Sequence, residues 1–197
     1  EFGEHSTTKN DQFRVPMSGQ DKTRFDYWKR MEFTPDQWQQ LASHARERDL
    51  IFLSSAFSLP ALELIVSLGV SALKIASGEV FHASLLSAIR ETRLPIFLST
   101  GMSNWEEITR LVEYFQGGSN DVLVLQCTSL YPTPLDMVGL NNLVEIRKRL
   151  NVLSGLSDHS GTIYPGISAI ALGASALEIH VTFNRQLRGP DTTSSTI

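Results

Sequence analysis

One pattern recurs six times along the chain: a short apolar segment ends in polar residues, and a segment with apolar residues at helical spacing follows it. Each repeat is roughly 20 to 30 residues long, the size of a strand–helix unit. Strands that are apolar on both faces and alternate with amphipathic helices form a parallel sheet covered by helices. The predicted strands are residues 50–53, 72–76, 95–98, 122–125, 152–156 and 177–181.

The residues at the strand ends decide between two architectures, an open doubly wound sheet and a closed (β/α)8 barrel. A doubly wound sheet concentrates its chemistry at one switch point, whereas a barrel collects it from all of its strand ends. Here every predicted strand ends in polar residues, and neither G-x-G-x-x-G nor G-x-x-x-x-G-K-[ST] occurs. We therefore predict an α/β fold of the (β/α)8 TIM-barrel type, with about six of the eight units in this chain.

Helix starts and one polar segment set the predicted boundaries. Thr34 with Gln37, and Ser103 with Glu106, have the spacing of capping boxes, so we predict that helices begin after Thr34 and Ser103.

Residues 1–20 are polar and show no helical or strand periodicity of apolar residues, and we predict that they are disordered or loosely packed. Residues 21–197 are predicted to form one partial barrel domain. A parallel barrel short of two strands has two open edges, which predicts that the chain is part of a larger protein.

Charge and cysteine usage narrow the class of partner and the compartment. The formal net charge of −4 argues against nucleic acid or an anionic membrane as the main partner, and no apolar run approaches a membrane span. The first residues lack the basic and apolar regions of a secretory signal. With one cysteine the chain has no intrachain disulfide, and we predict a cytoplasmic location. Cys127 lies in an apolar run and is predicted to be a buried thiol rather than a nucleophile.

Two consecutive predicted strands each carry a histidine near the end, His159 and His180. If both imidazoles point into a barrel mouth, they can share one divalent metal ion whose other positions are open to water and substrate. The alternative is that each is a hydrogen-bonded histidine at a strand end. Asp158 either orients a metal ligand or caps the following helix.

Several other polar residues of the strand ends are candidates for binding or catalysis. Lys74 lies inside an apolar strand, where burial of its charge is energetically costly. The position therefore implies an anionic partner, a Schiff-base amine, or a side chain that extends to solvent. Glu79 is a candidate for acid–base work, and Glu178 shares strand parity with His180, so we predict a buried, paired carboxylate. Hydroxyl groups suited to phosphate oxygens, and a phenol able to reach over the site, come from Ser55, Ser77, Ser99 and Tyr131.

Taken in order, these segments resemble the sialic acid (N-acetylneuraminate) synthase family from about Phe25 to Ser195. The resemblance is carried by the ordered set and not by any single motif. The matching segments are KIASGE from Lys74, LSTGMS from Leu98, LQCTS from Leu125, YPTP from Tyr131, GLSDHSG from Gly155, ALGA from Ala171, EIHVT from Glu178 and GPD from Gly189.

The resemblance implies condensation of phosphoenolpyruvate with N-acetylmannosamine or a related N-acylated amino sugar, with release of phosphate. It implies a divalent metal, typically Mn²⁺ with Mg²⁺ or Co²⁺ as alternatives, on His159 and His180, and a homodimer of the full-length protein. Lys74, Glu79 and Asp191 match family positions with catalytic roles. The implied substrate-binding positions are Ser55, Lys74, Ser77, Ser99, Ser129, Tyr131, Ser157 and Asp191.

The chain departs from the family pattern at both ends and at three residues. The family's first strand, first helix and second strand have no counterpart, and neither have its last helix and its small antifreeze-like domain. Ser55, Ser129 and Ile179 stand where threonine, asparagine and arginine are common. Two alternatives stay open: an aldolase that uses Lys74 as a Schiff-base amine, and a truncated barrel fragment without catalytic activity.

Overall fold

The structure, a computed structural model, describes residues 19–197; most of the segment predicted to be loosely packed lies outside this range. In the described residues, helices and parallel strands alternate after an N-terminal helix pair. The α-helices are α1 (Arg24–Met31), α2 (Pro35–Glu47), α3 (Leu59–Ser67), α4 (Ala83–Glu91), α5 (Trp105–Gln116), α6 (Asn141–Leu150) and α7 (Tyr164–Ala171). The strands are β1 (Ser54–Ser55), β2 (Leu73–Ile75), β3 (Ile96–Ser99), β4 (Val122–Cys127), β5 (Leu153–Asp158), β6 (Ala176–Val181) and β7 (Ser195–Thr196).

The strands form one sheet in the order of the sequence, β1 to β7, and each neighbouring pair is parallel. Alternation along each strand sends one set of side chains to the helices and the other to the opposite face. The first set builds the main core, in which residues such as Leu73, Ile75 and Leu98 pack with Leu85 and Phe115 of the helices. The predicted α/β architecture is confirmed at this level.

The sheet curls, and one ion pair shows how strongly. Lys74 on β2 and Glu178 on β6 are four strand spacings apart, about 19 Å in a flat sheet. Their Nζ and Oε1 atoms nevertheless lie 2.8 Å apart, a separation that extended lysine and glutamate side chains do not bridge across a flat sheet. The face opposite the helices is therefore concave, and its polar side chains converge.

The observed strands differ from the predicted ones at both edges of the sheet: one strand is shifted, and one is additional. The first strand is Ser54–Ser55 and not residues 50–53, because it lies at the edge of the sheet and pairs with β2 alone, while Ile51 is 74% exposed. The prediction that the strand at residues 177–181 is the last was wrong: β7 pairs with β6, with Ser195 opposite His180. The strand β7 consists of Ser195 and Thr196, and these two hydroxyl residues have no apolar pattern from which a strand could be predicted.

The predicted capping box of α2 is confirmed, and that of α5 begins one residue later than predicted. Thr34 Oγ1 accepts from Gln37 N, and Gln37 Oε1 accepts from Thr34 N. In α5 the N-cap is Asn104 and not Ser103: Asn104 Oδ1 accepts from Glu107 N at 3.0 Å, and Glu107 Oε2 accepts from Asn104 N at 2.8 Å. Asparagine offers the same kind of acceptor to the helix N-terminus as serine, so residue type alone did not distinguish the two possible N-caps.

No helix among residues 19–197 combines the length and apolarity of a membrane span.

Gly155 in β5 allows the close packing that holds the strand beneath the polar cluster. A Cβ atom there would lie 2.5 Å from the Ala176 carbonyl oxygen and 2.7 Å from Leu125 Cδ2. We expect Gly155→Ala to lower the free energy of unfolding by about 1–3 kcal/mol, because the backbone of β6 has to shift. Urea unfolding measures this, with Gly78→Ala, where a Cβ meets nothing within 4 Å, as the control. Equal stabilities of the two variants would contradict the expectation.

Candidate active site

Glu178 is the centre of a polar cluster on the concave face. Its Oε1 accepts from Lys74 Nζ at 2.8 Å and from Ser157 Oγ at 2.6 Å. Burial alone raises the pKa of Glu178, but the Lys74 charge and the hydrogen bonds from Lys74 and Ser157 outweigh it, and the pKa is lowered. Glu178 is therefore an ionised carboxylate, and the prediction that it is paired and faces the same side as His180 is confirmed. The prediction that it is buried was wrong, since its side chain is 38% exposed on the open concave face.

His159 is fixed by a backbone carbonyl from the neighbouring strand end. Its Nδ1 lies 2.9 Å from the carbonyl oxygen of Thr128, just after β4, and the residue is 4% exposed. A carbonyl only accepts, so Nδ1 carries the proton and Nε2 keeps its lone pair. Burial lowers the pKa of His159, although the bond to Thr128 acts in the opposite sense, so the ring is neutral near pH 7.

The second histidine lies beside the first. The ring centroids of His159 and His180 are 5.1 Å apart, with an angle of 62° between the ring planes. His180 Nδ1 lies 3.7 Å from Asp191 Oδ2, so a carboxylate faces it on the side where Thr128 faces His159. Asp191 enters the site through this contact.

The two imidazoles fit the metal site predicted from the sequence. Metal-binding histidines characteristically place the second ring nitrogen against a carboxylate or carbonyl oxygen, which fixes the tautomer and frees the other nitrogen. His159 does so here through the Thr128 carbonyl at 2.9 Å, and the Asp191 carboxylate lies 3.7 Å from the corresponding nitrogen of His180, beyond hydrogen-bond distance. Within residues 19–197 no group of three or more His, Cys, Asp and Glu side chains is arranged to hold a metal, so the candidate ligands in this part of the chain are the two histidines.

Tyr131 lies against both histidines. Its ring stacks on His159 at a centroid distance of 4.1 Å and meets His180 edge to face at 5.8 Å. Its hydroxyl is 3.2 Å from His159 Nε2. Burial, helped by nearby acidic groups, raises the pKa of Tyr131 to about 12, so the residue is a neutral phenol. This loop residue thus reaches the site as predicted.

Small hydroxyl side chains gather around Gly101, in the loop after β3. Ser77 Oγ accepts from Gly101 N at 3.0 Å and lies 3.6 Å from Cys127 Sγ. A Cβ on Gly101 would collide with the Ser129 hydroxyl and crowd Ser77 and Cys127. Cys127 is buried as predicted, but its thiol faces these hydroxyls and not the core between sheet and helices. Glycine is needed at this position because three side chains occupy the space.

Ser99, at the end of β3, is 2% exposed, and its hydroxyl has no hydrogen-bond partner among the described residues. A buried hydroxyl without a partner is costly, and at a candidate site it is a group that a ligand can satisfy. Ser55 lies opposite Lys74 in the register between β1 and β2, on the same side of the sheet. The structure thus places both serines at strand ends, as the sequence predicted, on the two strands that flank β2.

Two predicted residues stay outside the contacts of the cluster. Glu79 is at the rim, where its Oε2 lies 3.4 Å from Nδ1 of His82. Asp158 accepts from the backbone N and the hydroxyl of Ser160, so its contacts close the turn after β5. Neither predicted role is observed: among the described residues it contacts no histidine nitrogen, and α7 has Ile163 as its N-cap. The contribution of Thr128 was missed because it is a backbone carbonyl; the only sequence signal for it is its position at a neighbouring strand end.

The arrangement suits an anionic, oxygen-rich substrate. Lys74 supplies a positive charge, and the serines supply donors around it. Beside them lie the two imidazoles of His159 and His180, with ring centroids 5.1 Å apart. An electrophile bound at the histidines and an anion bound at the lysine would therefore lie next to each other, as a reaction between the two requires.

Comparisons with known proteins identify the family of the chain. The model of the NeuB family matches residues 3–196. A pseudaminic acid synthase of Helicobacter pylori is 35% identical over 191 residues, covering 95% of this chain and 56% of the relative. An N,N'-diacetyllegionaminic acid synthase of Campylobacter jejuni is 30% identical over 186 residues, covering 93% of this chain and 56% of the relative. The chain thus spans about half the length of these curated relatives.

A solved structure extends the agreement to the fold. The N-acetylneuraminic acid (sialic acid) synthetase of Leptospira borgpetersenii, crystallised with citrate, superposes with a TM-score of 0.83 at 29% identity. The match covers 87% of this chain and 60% of that one, so the curled parallel sheet is consistent with part of a TIM-like barrel. The family match over nearly the whole sequence, the two synthase relatives and this shared fold lead to one conclusion: the chain belongs to the NeuB family.

Proposed function

We propose that the protein condenses phosphoenolpyruvate with N-acetylmannosamine or a related N-acylated amino sugar to give a sialic-acid-type nonulosonate and phosphate. The observation that carries this is the meeting of the Lys74–Glu178 ion pair and its surrounding hydroxyl groups with the His159–His180 pair on one concave face. Relatives named as synthases of legionaminic and pseudaminic acid support the product class. The activity is that of the full-length protein, because the chain spans about half of these relatives.

The proposal includes the architecture of the whole protein. The count of six units left a first strand, a first helix and a second strand missing, but the sheet already has seven strands. One further strand would therefore complete an eight-stranded barrel, and the full-length protein would be a cytoplasmic homodimer. The curvature shown by the Lys74–Glu178 contact supports closure, since a barrel needs a sheet that bends back on itself.

His159 and His180 would hold the divalent cation, Mn²⁺ by preference with Mg²⁺ and Co²⁺ as alternatives. When bound, such a cation supplies Lewis acidity at the aldehyde oxygen of the sugar. Thr128 holds the His159 imidazole in the tautomer that presents Nε2, and a small movement of Asp191 would do the same for His180.

The remaining groups bind and orient the two substrates. Lys74 attracts the phosphate or carboxylate of phosphoenolpyruvate, and the unpaired hydroxyl of Ser99 donates to one of its oxygens. C3 of phosphoenolpyruvate bonds to the aldehyde carbon, water adds at C2, and phosphate leaves with the bridging oxygen. Glu79 at the rim is proposed to handle the proton of that water, and Asp191 to bind sugar hydroxyls. The other proposed substrate contacts are Ser55, Ser77, Ser129, Tyr131 and Ser157.

The Lys74–Glu178 ion pair argues against the Schiff-base alternative. A Schiff base needs the amine to attack a carbonyl carbon, and the Lys74 Nζ atom is instead engaged by the Glu178 carboxylate at 2.8 Å. Borohydride treatment in the presence of pyruvate distinguishes the two reactions: the aldolase would be trapped as a covalent adduct on Lys74, and the synthase would not.

The proposed function is tested with the full-length protein, phosphoenolpyruvate, Mn²⁺ and a panel of N-acylated hexosamines. We expect phosphate release that depends on both the sugar and the metal, and a nonulosonate detected by mass spectrometry. Phosphoenolpyruvate labelled with ¹⁸O in the bridging position should deliver the label to phosphate, as C–O cleavage requires. A metal-replete protein that releases no phosphate with any sugar of the panel would overturn the proposal.

A further inference from the structure

Tyr131 blocks the nitrogen atom that the proposed metal would use. The phenol ring stacks on His159, and its hydroxyl lies 3.2 Å from Nε2. The opposite nitrogen, Nδ1, is taken by the Thr128 carbonyl at 2.9 Å. The phenol hydroxyl therefore lies over the one ring nitrogen of His159 that remains for a cation.

The direction of the Tyr131–His159 hydrogen bond follows from the proton count. Ser157 Oγ is also near His159 Nε2, at 3.4 Å, but its single proton goes to the Glu178 carboxylate at 2.6 Å. Nε2 carries no proton because Nδ1 donates to Thr128. The hydroxyl of Tyr131 is thus the donor that satisfies Nε2.

Exposure differs between the two partners in a way that decides which one moves. His159 is 4% exposed and fixed by Thr128, whereas Tyr131 is 49% exposed and lies in the loop after β4. A cation that approaches Nε2 displaces the phenol hydroxyl toward solvent and leaves the imidazole in place. The ring can keep its contacts with both histidines while the hydroxyl gives up its acceptor.

We propose that Tyr131 is a gate on the metal site: its hydroxyl competes with the cation for His159 Nε2, while its ring holds the two imidazoles together. The inference rests on the proposed function, since it requires that His159 and His180 bind a cation. It assigns opposite effects to two parts of one side chain. The hydroxyl weakens metal binding, and the aromatic ring strengthens it.

The test measures Mn²⁺ affinity of the full-length protein by isothermal titration calorimetry without substrate. Tyr131→Phe removes the hydroxyl and keeps the ring, and we expect Mn²⁺ to bind about two- to tenfold more tightly, the range set by one ordinary hydrogen bond. Tyr131→Ala should bind more weakly than Tyr131→Phe. Tyr164→Phe, at a 66% exposed position on α7, is the matched control and should equal the wild type.

A second measurement uses the metal-free protein. The ¹⁵N shift of His159 Nε2 should move in Tyr131→Phe toward that of a ring nitrogen without a donor, and stay unchanged in Tyr164→Phe. If the wild type binds Mn²⁺ and Tyr131→Phe binds it equally or more weakly, the gate is overturned and the proposed function stands. If neither protein binds Mn²⁺, the metal part of the proposed function fails and the gate with it.

Discussion

Replacement of either His159 or His180 by alanine should abolish high-affinity Mn²⁺ binding by the full-length protein and lower the rate of condensation by ~10³-fold. The physical reason is that one imidazole and open solvent positions do not hold the cation where the aldehyde oxygen binds. Lewis-acid polarisation contributes several kcal/mol to such a step, which corresponds to a rate loss of that order. Calorimetric titration with Mn²⁺ and a phosphate-release assay measure the two effects separately.

The control for this pair is His44→Ala, because the His44 side chain is 64% exposed on α2 and takes no part in the cluster. Its affinity and rate should match the wild type. Removal of metal with a chelator should reproduce the histidine phenotype in the wild type, and added Mn²⁺ should reverse it there but not in the variants. Metal binding and turnover that survive in both alanine variants would contradict a two-histidine site.

Lys74→Met should lower kcat/KM for phosphoenolpyruvate by about 10²-fold or more and should also destabilise the fold. The first effect follows from the loss of the charge that meets the substrate anion. The second follows because Glu178 keeps its negative charge in a partly buried place without its partner. Breaking a fully buried pair costs about 3–5 kcal/mol, and we expect about 1–3 kcal/mol here because the Glu178 side chain is 38% exposed.

A second substitution separates the two effects. The double variant Lys74→Met with Glu178→Leu removes both charges, so it should recover most of the stability lost in Lys74→Met but none of the catalytic activity. Urea unfolding and steady-state kinetics with varied phosphoenolpyruvate measure both quantities on the same proteins. If Lys74→Met keeps normal kinetics, the lysine is structural only, and the proposed anion site has to be placed elsewhere.

The sequence predicted the site better than it predicted the ends of the sheet. Parity along β6 placed Glu178 and His180 on one face, and the structure bears this out through the contacts of Glu178 with Lys74 and Ser157. Parity is a local property, so 2-residue periodicity is enough to predict it. The strands β1 and β7 have two residues each, and their pairing depends on neighbours that no short pattern encodes.

The contacts between segments were beyond prediction for a different reason. The Thr128 carbonyl fixes His159, yet every residue has a carbonyl, so no side-chain pattern distinguishes this one. The Tyr131 hydroxyl was expected over the site, but its position on His159 Nε2 depends on the path of a loop. In the same way, Asn104 and Ser103 are equivalent caps until the helix axis is known.

The sequential strand order has a consequence for the order in which the molecule assembles. Each strand pairs with the next along the chain, as Lys74 pairs with Phe97, so the sheet can grow from short loop closures. The contact between Lys74 and Glu178 joins residues 104 positions apart, roughly four times farther, at an added loop-closure cost of about 1.3 kcal/mol. We expect the sheet to form pair by pair from either side and the ion pair to close late, since non-local contacts follow local ones. A partly folded chain would then have most of its strands in register and no functional centre.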